Sequence, residues 1–214
     1  MMSEFQKTMS LTGLAILLVL SALLTAPTKI TPDSFLDQGE PPFYIGFGSI
    51  GGKNPEGTAR HLLHALQNAR IRAVIATGWG GLKVPEVLIT ENIHVIDSAP
   101  HDVLFPHVAG VVHHGGAGST AAGLRAGKPT LICPFFGDQP FWGERVHSLG
   151  LGPVPLPQKK LTAKALTERL QQLKHNPHYK RNAEHMGQQL RQEDGVAQAV
   201  GFIERFLNPK ARQA

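Results

Sequence analysis

The sequence predicts an α/β domain built on a parallel sheet with helices on both faces. Two observations carry that expectation. Short apolar runs that read as strands alternate with stretches of helical periodicity, the pattern of a sheet whose strands are joined by crossover helices. Each glycine-rich or acid-bearing cluster also follows directly on one of those runs, at the strand's carboxyl end, where open parallel sheets place their ligands.

Taken in order, residues 43–49 (FYIGFGS) form an apolar strand that stops at glycines. Asn54 then caps a helix with Pro55 at its first position, and HLLHALQNA supplies the apolar face. Residues 71–76 (IRAVIA), 93–96, 110–113 and 129–133 give four further strands, with a helix at residues 117–126. After Pro157 the pattern turns helical, over residues 162–174, 177–192 and 196–207. The domain is expected to span residues 43–210. Before it, residues 31–42 (TPDSFLDQGEPP), rich in proline and acid, read as an extended linker.

Residues 1–30 differ from the rest. No charge occurs between Thr8 and Thr28, and the densest part, LAILLVLSALL, is far shorter than the ~20 residues a spanning helix needs. Glu4 offsets Lys7, and Leu24-Thr25-Ala26 lacks the small residue expected three positions before a cleavage site. A membrane-associating helix, a cleaved signal and an incidental leader all stay open, and the segment is set aside from the fold argument.

At 214 residues, with 42% hydrophobic and 17% charged residues, the chain suits one well-packed domain and excludes a disordered one. The net charge of +5 is scattered and makes no basic, aromatic-interleaved stripe, so nucleic acid is not an expected partner. The single cysteine, Cys133, sits in TLICPFF and reads as a buried structural thiol. A reducing, cytoplasmic or membrane-associated setting fits.

The most informative stretch is VVHHGGAGSTAAGLRAGKPTLICPFFGDQPFWGERV, residues 111–146. In HHGGAGST, Gly115, Gly116 and Gly118 let the backbone approach a ligand, and the following helix presents unpaired amides from about Ala117 through Gly118 and Ser119 to Thr120. A helix N-terminus carries roughly half a positive charge, so phosphate oxygens are favoured there. His114 adds a hydrogen bond, and Ser119 or Thr120 a hydroxyl. The plainer alternative is a tight strand-to-helix turn with His113 or His114 closing the sheet. Asp138 and Gln139 follow PFFG; together a carboxylate and an amide can grip neighbouring sugar hydroxyls, although alone they would read as a helix cap. Trp79, in TGWGGL, either stacks on a ring or plugs the sheet edge. Phe141 and Trp142 are expected to pack rather than line the pocket.

Three rival readings fail on the letters. Gly46 to Gly51 matches the dinucleotide spacing, but the helix starts too late and the second strand ends at Ala76-Thr77 without the acid that binds a ribose. GLRAGKPT is one residue short of a phosphate loop and has Pro129 where Ser or Thr is required. Eleven histidines include His61 and His64 on one helix face, but no ligand set with a supporting carboxylate emerges, so no metal is expected.

Together, PPFYIGFGSI, the ATGWGGL loop, the block from APHDVLF to WGERV and the helical tail resemble the carboxyl-terminal half of a sterol 3-beta-glucosyltransferase. The same half occurs in family 1 UDP-glycosyltransferases that modify macrolides and other lipophilic acceptors, the erythromycin-CIII-like enzymes. The likeness covers about residues 31–207. It implies a GT-B architecture in which this Rossmann-like domain binds a UDP-sugar, glucose by default, without a metal. By the resemblance, His114 and the amides of Gly116, Ala117, Gly118, Ser119 and Thr120 hold the diphosphate. Ser49 approaches from the first loop, Ser98 to His101 lie against the uracil, and Asp138 and Gln139 hold the hexose. Ser98 stands where many plant relatives have a stacking tryptophan, leaving base recognition to backbone contacts or Trp79.

The resemblance also implies an amino-terminal acceptor domain carrying a histidine base, and the residues before the first strand contain no histidine. No residue here is therefore assigned a catalytic role. The expected partners are a UDP-sugar, an acceptor-domain chain or a second copy, and a membrane surface. The alternative readings are a non-catalytic nucleotide-sugar module and an anchored interaction protein without the ligand. A further corollary is that Val196, Val200 and Phe206 of the last helix expose apolar surface.

Overall fold

The structure, a computed structural model, describes residues 35–49, 52, 54–79 and 81–207, the Phe206 side chain excepted. The leader at 1–30 and residues 208–210 of the expected domain lie outside the described residues.

Five strands form the sheet: β1 (Phe43–Gly46), β2 (Ala73–Ala76), β3 (Ile93–Ile96), β4 (Gly110–His113) and β5 (Thr130–Ile132). The helices are α1 (Pro55–Ala69), the single turn α2 (His101–Leu104), α3 (Ala117–Arg125), α4 (Gln139–Ser148), α5 (Ala163–His175), α6 (Pro177–Gln192) and α7 (Gly195–Leu207). The spatial order is β3-β2-β1-β4-β5, and every pairing is parallel. Strand order therefore reverses between β1 and β4, whose registers run from Phe43 opposite Gly110 to Gly46 opposite His113. At such a reversal the crossovers leave toward opposite faces, and a crevice opens above the carboxyl ends.

Side-chain alternation covers both faces. Ile45, Phe47, Ile75, Val112, Leu131 and Cys133 join one cluster with Leu62 and Leu66 of α1 and Leu166, Leu170 and Leu173 of α5. Ile132, one residue from Leu131, instead packs with Val146 of α4, Leu151 and Ala183 of α6. Burial pushes the Cys133 thiol up to about 12, leaving it an inert core group. At the start of α1 the Asn54 side chain accepts the Gly57 amide at 2.8 Å, a cap worth about 1 kcal/mol, and Pro55 fills the first turn.

Of the segment read as a linker, residues 35–42 are described. Phe35 to Glu40 lie against the domain, because the Arg72 guanidinium donates to the carbonyls of Phe35 and Glu40 and sits 4.3 Å from the centre of the Phe35 ring, which stacks on His94. Proline and acid content signalled exposure but not this anchor.

Candidate functional site

Parallel pairing brings the five carboxyl-end loops to one rim, and close backbone approaches join them. The amide of Gly78 donates to the Asp97 carbonyl at 2.9 Å, tying the β2 loop to the β3 loop. A methyl group on Gly78 or Gly81 would collide with the Gly48 carbonyl, so the β1 and β2 loops touch through backbone alone. Gly48 in turn faces the His114 ring, where an added methyl would stand 3.3 Å from Cε1. Gly115, with φ +96°, presses against the start of α4: a methyl there would meet Ile132 at 2.7 Å and the Gln139 carbonyl at 3.1 Å.

At the centre lies the N-terminus of α3. Gly116 caps it without a side-chain acceptor, so the amides of Ala117, Gly118 and Ser119 stay unpaired within the helix. Thr120 differs from expectation. It is buried, its amide and its hydroxyl both donate to the Gly116 carbonyl at 2.9 Å, and neither is presented to the crevice. Nothing lies within 4 Å of a methyl built on Gly118, which faces open space.

His114 is half-buried, with its Nδ1 buried and unpartnered among the described residues and its Nε2 on the Gly116 side. Burial lowers its pKa, and the Asp138 carboxylate pulls it back up, which places Asp138 in the same electrostatic field. Asp138 is exposed and accepts a 2.9 Å hydrogen bond from the Trp142 indole through Oδ2. Gln139 is only 5% exposed; its Oε1 accepts the amides of Phe135 at 2.8 Å and Phe136 at 3.2 Å. Its carbonyl is thus committed to its own loop, and the amide nitrogen is the group left for a ligand.

Trp79 is 93% exposed, so it does not plug the sheet edge. Ser49 and Ser98 are exposed on the β1 and β3 loops. His101 is half-buried: its ring stacks on Phe105 at 4.4 Å and its Nε2 lies 3.4 Å from the Tyr44 hydroxyl, whose pKa burial raises to about 12. Phe141, expected to pack, is 63% exposed, as is Phe136, and its ring meets Trp142 edge-on at 5.3 Å.

Sequence reasoning gave no part to Tyr44, Phe135 or Phe136, whose roles rest on loop contacts that no spacing signals. Among the described residues no group of three histidine, cysteine or acidic side chains could hold a metal, and no helix is long and apolar enough to cross a membrane. Two hollows, of ≈ 600 and ≈ 450 Å³, open at the opposite, amino edge of the sheet and include none of these rim residues.

Residues 74–200 match the model of the erythromycin biosynthesis protein CIII-like, C-terminal domain. Sterol 3-beta-glucosyltransferase UGT80B1 of Arabidopsis thaliana is 43% identical over 176 residues, which is 82% of this chain and 28% of that protein. The sterol 3-beta-glucosyltransferase of Neosartorya fischeri is 41% identical over 80% of this chain and 12% of its own length. Among solved structures, the glycosyltransferase of kitacinnamycin (TM-score 0.65, 21% identity) and the calicheamicin glycosyltransferase CalG4 (TM-score 0.65, 22% identity) share the fold over 78% and 80% of this chain. The chain spans 43% and 44% of those two proteins. The five-stranded parallel sheet shares the fold of those two solved glycosyltransferases, and the chain belongs to the erythromycin biosynthesis protein CIII-like family of C-terminal domains.

Proposed function

We propose that this chain binds a UDP-sugar, with glucose as the hexose, as the donor half of a glycosyltransferase acting on a lipophilic acceptor such as a sterol. One observation carries the reading: the uncapped N-terminus of α3 opens at the β1/β4 reversal with the His114 ring beside Gly116, Gln139 against Gly115, and Asp138 in the electrostatic field of His114. The amides of Ala117, Gly118 and Ser119 and the His114 imidazole suit a diphosphate, which in transfer is the leaving group. The free Asp138 oxygen and the Gln139 amide nitrogen suit adjacent hydroxyls of the hexose. Trp79, Ser98 and the backbone up to His101 suit the uracil. No metal enters this scheme: the helix end offsets part of the phosphate charge and the His114 imidazole adds a hydrogen bond. Transfer further requires a base within reach of the acceptor hydroxyl, and donor binding is what these residues are assigned.

Calorimetric titration with UDP-glucose, UDP, NAD and ATP tests the reading. UDP-glucose and UDP should bind, NAD and ATP should not. Asp138→Ala should leave UDP affinity within about twofold while weakening UDP-glucose roughly tenfold, the loss expected for one charge-assisted hydrogen bond. Equal binding of all four ligands, or of none, overturns the proposal.

A further inference from the structure

His113 is the one fully buried histidine of the rim, at 1% exposure, and the family likeness gives it no part in holding the donor. Its backbone carbonyl accepts the Cys133 amide at 2.8 Å, completing the β4–β5 ladder. Its side chain does something that strand residues seldom do: Nδ1 accepts the amide of Gly115, two residues on, at 3.0 Å. Gly115 is buried at the point where the chain leaves β4 and turns into α3, and its amide has no backbone partner among the described residues. Left alone, that amide would be an orphaned buried donor, which is costly. The imidazole supplies the missing acceptor. The neutral ring with its proton on Nε2 is the only form that can accept there, and burial holds the ring neutral. The same ring meets His114 edge-on at 6.0 Å, interplanar angle 85°.

Resting on the donor-binding reading above, we infer that His113 is a positioning residue for the diphosphate. Its Nδ1 fixes the Gly115 turn, and thereby aims the amides of Ala117, Gly118 and Ser119 and the His114 ring at one point. His113 does not touch the ligand. It acts through the direction in which β4 hands the chain to α3, a turn that cannot relax sideways because Gly115 is wedged between Ile132 and Gln139.

Three proteins test this: wild type, His113→Asn and His113→Leu. Asparagine keeps a side-chain oxygen able to accept an amide two residues on; leucine fills similar space without an acceptor. The first readout is exchange of the Gly115 amide proton by NMR without ligand. It should be slow in wild type and His113→Asn and at least tenfold faster in His113→Leu. The second is UDP affinity, expected within about threefold of wild type for His113→Asn and at least tenfold weaker for His113→Leu. Thermal melting separates this pattern from global loss of stability, which would follow packing volume and not rank asparagine above leucine. Wild-type protein that binds no UDP defeats the donor-binding reading, while the Gly115 exchange still reports on the hydrogen bond. The inference is overturned if UDP binds His113→Leu as it binds wild type, or if asparagine gives no rescue of affinity. Should His113→Leu fail to fold, His113→Asn decides alone: slow Gly115 exchange with retained affinity upholds the inference, and slow exchange with lost affinity overturns it.

Discussion

The side-chain carbonyl of Gln139 stands 2.8 Å from the amide of Phe135, at the far end of the loop that Gln139 itself closes. One buried residue thus ties down the β5–α4 loop and leaves a single donor, its amide nitrogen, beside Asp138.

Replacing Gln139 by Ala removes the acceptor for two amides and should destabilise the domain by about 1–3 kcal/mol. Gln139→Glu keeps two oxygens for those amides but loses the outward N–H donor. It should melt within about 3 °C of wild type while binding UDP-glucose no better than UDP. Melting curves paired with titrations check both; a Gln139→Glu variant that still prefers UDP-glucose would assign the hexose contact elsewhere.

Gly118 separates fold from function. Nothing lies within 4 Å of a methyl placed there, and it occupies the first turn of α3. Gly118→Ala should therefore raise stability by up to roughly 1 kcal/mol, since alanine is the better helix former. If the open space is where the diphosphate approaches the backbone, the same change weakens UDP binding about tenfold or more. A more stable protein with undiminished affinity would show that the space is not used.

Acid should destabilise the domain through His113, whose pKa burial depresses to about 3, with smaller contributions from His114 and His101. The unfolded chain binds a proton near pH 6.5 that the folded one refuses, so stability is complete above 6.5 and falls as pH drops toward 3. The full span corresponds to roughly 5 kcal/mol. Urea midpoints measured from pH 7.5 to 4.5 should decline below 6.5, more steeply in wild type than in His113→Asn. A flat profile in wild type would remove the buried neutral imidazole from the account.

Val196 and Val200 of α7 are exposed, as expected, and Phe202, Ile203 and Leu207 are exposed with them. Such a helix adds little to the stability of its own domain and offers an adhesive apolar face. A chain ending at residue 194 should melt within about 3 °C of the full chain and sediment as a monomer at concentrations where the full chain associates. A large loss of stability on truncation would mean that α7 is part of the core.

The sheet and its rim were legible because each strand is a short apolar run ending in glycine or a polar cluster, and parallel pairing forces those ends together. β3 and β4 lie where the periodicity puts them, and α6 begins at Pro177 as the proline signal requires. What stayed hidden were side chains bonded to backbone a few residues away. HHGG does not reveal that the first imidazole holds a glycine amide, GDQ does not reveal that the glutamine faces inward, and GST does not reveal that the threonine closes on Gly116. Each depends on a turn's handedness, which composition and spacing leave free.

Central placement of β1 has a consequence for assembly. Its two neighbours come from chain made at different times, β2 directly after it and β4 only once β2 and β3 have been laid down. The crevice exists only when that distant β1–β4 pairing has closed, so it needs chain from both sides of β2 and β3. A molecule lodged there would oppose complete unfolding while leaving frayed ends untouched. At one hundred times its dissociation constant it would add about 2.7 kcal/mol. Protection by a nucleotide sugar should therefore appear in the slowest-exchanging amides of β1 and β4, the strands that flank the crevice.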